Sequence, residues 1–348
     1  MKELFQLLQG VNEVDATTLT VREQTRLQDN LPGLRWNAFF PRTNADSIRI
    51  AELRTLDLRP VADRRPWGGR GRYIPVETPN LALIEMLPIE AYTSYDEYSF
   101  QRLLQNNGQD IELMLRAAAV RIPERSQVLA DANYRRVEID AFEAWRTGTI
   151  LAKDPESEQA LTLSLGFDAG RYVTPTAWST TTAYEEFLTH AFEAQNHFGS
   201  VAGAILRRST LNAIQASAPV GTSGFRPTIA DLQGRITDEL GTQFTFRVEE
   251  RTQQIFTGAG NQRVDTKVWN GTEVGFIPGG IQIGQTHFAP VVRAQMMARA
   301  LPSNYVDVRG VTLFYIGSDD AKSLTLEAQL NALPLPVEDN IYVVNAGI

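Results

Sequence analysis

Read for the spacing of its apolar side chains, the chain divides into stretches of unlike period. The first 45 residues carry short apolar clusters with weak periodicity, amounting to a helical turn or two at Glu3–Gln9. They end in Arg35-Trp36-Asn37-Ala38-Phe39-Phe40-Pro41. Leaving Leu31, Leu34, Trp36, Phe39 and Phe40 together in water is costly, so the segment reads as an extended arm that packs on something other than its own subunit. From Ser47 to Tyr92 the pattern becomes strand-like. Ile48 and Ile50 alternate with polar residues, and Tyr73-Ile74-Pro75-Val76 and Leu81–Met86 carry the return. Between them Arg64-Arg65-Pro66-Trp67-Gly68-Gly69-Arg70-Gly71-Arg72 is punctuated for turns. The whole is a long hairpin whose tip is too polar for a compact core.

Residues 97–150 read as helical. Val128, Ala132, Ile139, Phe142, Trp145 and Thr149 form one apolar stripe, broken at Arg135, and Gly148 with Lys153-Asp154-Pro155 ends it. A strand at Leu161–Leu165 follows. Residues 180–320 read as a separate α/β unit. One helix carries Tyr184, Leu188, Ala191, Gln195 and Phe198; another carries Ile229, Leu232, Ile236 and Leu240, capped by Thr228 and closed by Gly241. Strands are predicted at Phe244–Val248, Val264–Trp269 and Val311–Ile316, and a helix at Pro290–Ala300. Leu324, Leu326, Ala328 and Leu330 alternate, and Ile341–Val344 closes the chain. These last strands need a partner sheet, for which Leu161–Leu165 is the expected partner.

Composition narrows the function classes. Hydrophobic residues make up 43% of 348, which places the chain among globular proteins. With no Cys, disulfides and thiolate metal sites are excluded. No apolar run approaches a membrane span, and the opening lacks a signal-peptide core, so the protein is expected to stay in a cytoplasm. The net charge of −8 argues against a dedicated nucleic-acid binder.

Candidate chemistry is sparse. His190, Glu193 and His197 can share one helix face, but they lack the His pair four residues apart of zinc proteases, so a structural role is expected. His287 reads as a packing or loop residue. Gly221-Thr222-Ser223-Gly224 is no nucleophile elbow, and Thr257-Gly258-Ala259-Gly260-Asn261 lacks the Lys-Ser/Thr of a phosphate cradle and reads as a loop tip. No catalytic, cofactor-binding or metal-binding residue is assigned, and an enzyme is not expected. The tip at 64–73 carries more. Arg64, Arg65, Arg70 and Arg72 interleaved with Trp67 and Tyr73 have the composition of a binding hot spot.

Arm, long hairpin, long helix beside a sheet, inserted α/β unit and return form an unusual order. It resembles the α+β Hong Kong 97-like fold of tailed-bacteriophage capsid proteins. Within that fold, Leu129-Ala130-Asp131 with Tyr134-Arg135-Arg136, Glu143–Ile150 and the Arg/Gly-rich tip are similar to the lambda-type capsid protein E family. The resemblance implies an N-terminal arm at 1–46, an E-loop at 47–95 and a peripheral domain with a long spine helix at 96–178. An axial domain at 179–320 and return strands to the peripheral domain at 321–348 complete it. It implies a major head protein that self-assembles in the host cytoplasm, as pentamers and hexamers, into an icosahedral virion shell. The shell would enclose double-stranded DNA without reading its sequence. Implied partners are a separate scaffolding protein, a portal and a decoration protein; no cofactor or membrane is implied. No Lys lies in the E-loop, so the loop crosslink of the fold's type member is unavailable. The competing expectations are an encapsulin-like compartment and, from another class, a small hydrolase using His190 and Glu193.

Overall fold

The computed structural model describes residues 34–45, 49–54, 80–95, 102, 105–106, 111–153, 160–174, 177–220, 225–257, 262–269, 271–291, 305–308, 311–317 and 324–348. After a 3-10 turn at Trp36–Ala38 come β1 (Arg42–Asn44), β2 (Arg49–Arg54), β3 (Asn80–Glu85), β4 (Pro88–Tyr95) and the helix α1 (Ile111–Thr147). Next are β5 (Thr149–Lys153), β6 (Ala160–Ser164), β7 (Tyr172–Val173), α2 (Ala183–Phe198), β8 (Val201–Leu206), α3 (Arg208–Ser217) and α4 (Ile229–Leu240). The chain closes with β9 (Thr245–Val248), β10 (Thr252–Thr257), β11 (Gln262–Lys267), β12 (Glu273–Pro278), β13 (Gly284–Ala289), β14 (Tyr305–Val308), β15 (Val311–Gly317), β16 (Leu324–Pro336) and β17 (Val343–Asn345).

At 37 residues α1 is about 55 Å long at 1.5 Å rise per residue. It ends where Gly148 adopts φ 68°, a left-handed conformation that favours glycine, and the Gly148 amide closes on the Ala144 carbonyl at 2.9 Å. The one-sided stripe expected along this helix is partly wrong. Ile139, Phe142 and Trp145 are buried, but Val128 and Ala132 are exposed. From Val137 to Phe142 every residue is buried, because sheets and a hairpin cover the helix on several sides.

One six-stranded sheet runs β1-β13-β16-β15-β14, with β4 also on β16; Leu326, Ala328 and Leu330 of β16 are buried in it. A five-stranded sheet runs β7-β17-β12-β8-β9 and is covered on both faces. Ala204, Leu206, Val274, Phe276 and Val344 point into a core with Phe187, Leu211 and Ile236 of α2–α4. Ile205, Ile277 and Val343 point into the core that holds Phe142 and Trp145 of α1 and Trp269. Gly275 makes this second contact close. A Cβ there would stand 2.9 Å from Trp269 Cη2 and 3.3 Å from Trp145 Cζ2.

The topology departs from expectation at the C-terminal end. Among the described residues β6 pairs with β5, whereas β16 takes β4, β13 and β15 as partners. Strands β13–β15, expected inside the 179–320 unit, belong to the six-stranded sheet. The closing strand joins the five-stranded sheet between β7 and β12. The physical reason lies in its run of apolar residues, Ile341–Val344, all buried. Such a run needs a sheet buried on both faces, and the five-stranded sheet provides one.

Candidate assembly surfaces and the histidine cluster

The arm residues are not where sequence reasoning put them. Trp36, Phe39 and Phe40 are 6%, 5% and 0% exposed, inside this chain's own core. The 3-10 turn swings the aromatics onto α1, where Phe39 lies 5.9 Å from Phe142 and 5.2 Å from Trp145 between ring centroids. Trp36 sits 6.1 Å from Phe288 of β13. Leu34 is half-buried against the same core, and Leu31 lies outside the described residues. The apolar content of 34–40 therefore serves the fold of the subunit and needs no neighbour to cover it.

Beneath this turn is a polar junction that sequence reading missed. Glu138 on α1 is fully buried. Its Oε1 accepts from the Arg35 amide at 2.7 Å and from Arg251 at 2.9 Å, and its Oε2 accepts from Gln253 Nε2 at 2.8 Å. Arg251 is held on its other side by Glu249, and Gln253 accepts from Arg135 at 2.7 Å. An acid flanked by Val137 and Ile139 was the available signal.

For the hairpin tip, the structure shows the stem. Strands β2 and β3 pair antiparallel from Arg49 opposite Glu85 to Arg54 opposite Asn80. Arg64, Arg65, Trp67, Arg70, Arg72 and Tyr73 lie outside the described residues. So do 221–224, 258–261 and 292–300, which hold the Gly221–Gly224 motif, most of the expected loop tip and most of the expected Pro290–Ala300 helix.

The histidine cluster separates into two networks. His190 is buried, stacked on Trp178 with centroids 6.1 Å apart, and its Nδ1 lies 2.8 Å from Glu193 Oε2 and 3.2 Å from the Tyr342 hydroxyl. Tyr342 also donates to Glu193, and that bond, with the His190 contact, holds the Glu193 carboxyl below its ordinary pKa. His197, two turns on, faces Arg171 instead, with Nη1 2.6 Å from its Nε2. His287, on β13, is half-buried. No group of three His, Cys, Asp or Glu among the described residues is placed to hold a metal ion. No helix among them is long and apolar enough to cross a membrane.

The surface carries large apolar side chains that sequence reading did not single out. Phe225 is 78% exposed and Val220 59% exposed on the connection between α3 and α4, and Tyr92 on β4 is 68% exposed. That connection is braced at both stems. Arg235 donates to the Pro219 carbonyl at 2.7 Å, Gln215 donates to the Pro227 carbonyl at 2.7 Å, and Thr228 and Asp231 form a capping box.

No protein-family model and no curated protein matches the sequence. Solved structures do match. A protein assigned as the capsid protein of a prophage of Escherichia coli CFT073 aligns over 89% of this chain and 92% of its own, with 11% identity and a TM-score of 0.51. The fold is the Hong Kong 97-like capsid fold. A phage-related protein of Bordetella bronchiseptica RB50 aligns over 95% of this chain and 97% of its own, at 12% identity and a TM-score of 0.47. A chain of the satellite phage P4 procapsid aligns over 93% and 90%, at 8% identity and 0.48.

Proposed function

We propose that the chain is a major capsid protein, a subunit that assembles with copies of itself into the head shell of a tailed bacteriophage of the lambda-type capsid family. The Hong Kong 97-like fold, shared with the prophage protein over about nine tenths of both chains, carries this reading. In it the shell encloses double-stranded DNA without sequence-specific contacts, and a separate scaffolding protein guides closure. A portal and a decoration protein complete the partners. The joining surface is the hairpin tip, where Trp67 and Tyr73 give apolar anchors and Arg64, Arg65, Arg70 and Arg72 give forked donors for acidic groups on a neighbour. With a net charge of −8 per subunit, acidic partners are at hand. Contacts of about 800 Å² per partner are ordinary, and a closed shell repeats them over every subunit.

The test is electron microscopy of the purified chain, alone and with a separate scaffolding protein. Closed shells or ring-shaped capsomers are expected. A monodisperse monomer at high concentration under every condition would overturn the reading. Shells that package a protein cargo and no nucleic acid in the native host would point to an encapsulin-like compartment instead.

A further inference from the structure

The chain passes between the two sheet-bearing units at 166–171, 279–283 and 337–342, and these three crossings touch one another. The Asp168 amide donates to Glu338 Oε1 at 2.7 Å, Asn340 Nδ2 donates to the Gln282 carbonyl at 2.7 Å, and the Val337 amide donates to the Ile283 carbonyl at 2.9 Å. Over this junction lies Arg171. Its Nη2 reaches Asp339 Oδ1 at 2.9 Å on the third crossing, and its Nη1 reaches both nitrogens of His197 in the last turn of α2, at 2.6 and 2.9 Å. Arg171 thus ties the first crossing to the third and to the helix layer at once.

A guanidinium can only donate, and an imidazole can accept only while neutral. A protonated His197 would lose the Arg171 hydrogen bond and hold two cations at contact distance. The charged and titratable groups around the ring are few. From the first crossing come Asp168 and Arg171, and from the third Glu338 and Asp339. On α2 itself Glu193 and His190 are occupied with each other and with Tyr342. The second crossing, Gly279-Gly280-Ile281-Gln282-Ile283, has none. The ring also bonds the Asp339 backbone, and the other neighbours are aromatic, Phe198 at 5.0 Å and Tyr342 at 6.4 Å between ring centroids.

We propose that His197 is an acid-released catch on this junction: its neutral ring holds Arg171 in place, and its protonation lets the crossings at 166–171 and 337–342 open. Burial and the Arg171 charge both hold the His197 pKa below the ordinary histidine value, so the catch is closed at neutral pH. The sign follows from that direction. A group whose folded pKa is depressed favours the fold fully above its unfolded value near 6.5, and this contribution fades as pH falls toward the folded value. The inference concerns the subunit and stands apart from the capsid reading.

Backbone hydrogen exchange of the full chain at pH 7.5 and 5.0, corrected for intrinsic rates, tests it. In the wild type, amides at 166–173 and 337–342 should lose protection in acid relative to β8 and β12. His197→Gln keeps an acceptor for Arg171 without titrating, and its protection should be the same at both pH values. In the unmodified chain, NMR titration of the His197 ring should give a midpoint below 6.5. Equal acid loss in His197→Gln, or a wild-type midpoint at or above the ordinary value, would overturn the proposal.

Discussion

Asp140 offers the sharpest test of how α1 is held. It is buried on the helix, paired with Arg136 at 2.8 Å one turn earlier. Arg136 also donates to the Leu151 carbonyl of β5, and Glu143 accepts from the Leu151 amide at 3.4 Å, so this stripe carries the β5–β6 hairpin. Burial pushes the Asp140 carboxyl up to about 7; Arg136 pulls it down, but not enough to compensate. The unfolded chain ionises it near 3.8. At about 1.4 kcal/mol per pH unit, ionised Asp140 costs the fold on the order of 4 kcal/mol above pH 7. For a carboxyl with a raised folded pKa the cost is absent below the unfolded value and grows as pH rises through the folded one. Asp140→Asn removes it and keeps an amide oxygen for Arg136. The variant should therefore gain about 2–4 kcal/mol over the wild type at pH 8 and only about 1–2 kcal/mol at pH 5. Urea unfolding of the purified subunit at both pH values, with exchange protection of the β5–β6 amides as a local readout, measures this. Parallel pH dependence in the two proteins, or a variant less stable at pH 8, would refute the reasoning.

Phe40→Ala should destabilise the isolated subunit by about 3–5 kcal/mol, because Phe40 is fully buried; this appears as a lowered Tm before any assembly step. Gly275→Ala should cost about 1–3 kcal/mol and change the tryptophan fluorescence, since the added Cβ meets Trp269 and Trp145 closer than ordinary contact distance. Trp67→Ala with Arg70→Ala should leave the circular dichroism of the subunit unchanged and abolish or weaken particles in sedimentation, each lost anchor costing about 2 kcal/mol or more. Particles boiled in detergent should run as single chains on a gel, because residues 47–95 contain no lysine for a crosslink; a ladder of oligomers would contradict this.

Elements that announce themselves locally were legible in the sequence. Thr228 and Gly241 bracket α4 as expected, with the capping box formed and Gly241 at φ 66°. Helix α2 and strand β15 fall within a residue or two of their predicted bounds. Strand β8 was missed because Val201-Ala202-Gly203-Ala204-Ile205-Leu206 is one short apolar run, and such a run carries neither the period of a helix nor that of a half-buried strand. Helix α3 was missed because its N-cap, Arg207, supplies no side-chain cap. Pairing was harder still. The alternation of β16 correctly implied a strand, but nothing local to it says that β4, more than 200 residues earlier, lies alongside.

The arm shows why burial is easier to read than its partner. Five large apolar residues within ten positions do have to be covered, and for Trp36, Phe39 and Phe40 that is met inside the subunit. What fixes the choice is the junction at Glu138. A carboxylate placed at the heart of an apolar helix face is expensive unless its oxygens are filled. Here they are filled by one backbone amide from the arm and two side chains from the Glu249–Gln253 segment, so the helix accepts those two segments in one arrangement only. At His190 the buried polar group is the imidazole, and its bonds to Glu193 and Tyr342 tie α2 to the closing segment. In another setting, buried carboxylates and a histidine against a tyrosine would suggest proton-transfer chemistry. In this chain Glu138 and His190 each join elements lying 100 or more residues apart, and the registration of those elements accounts for their polarity.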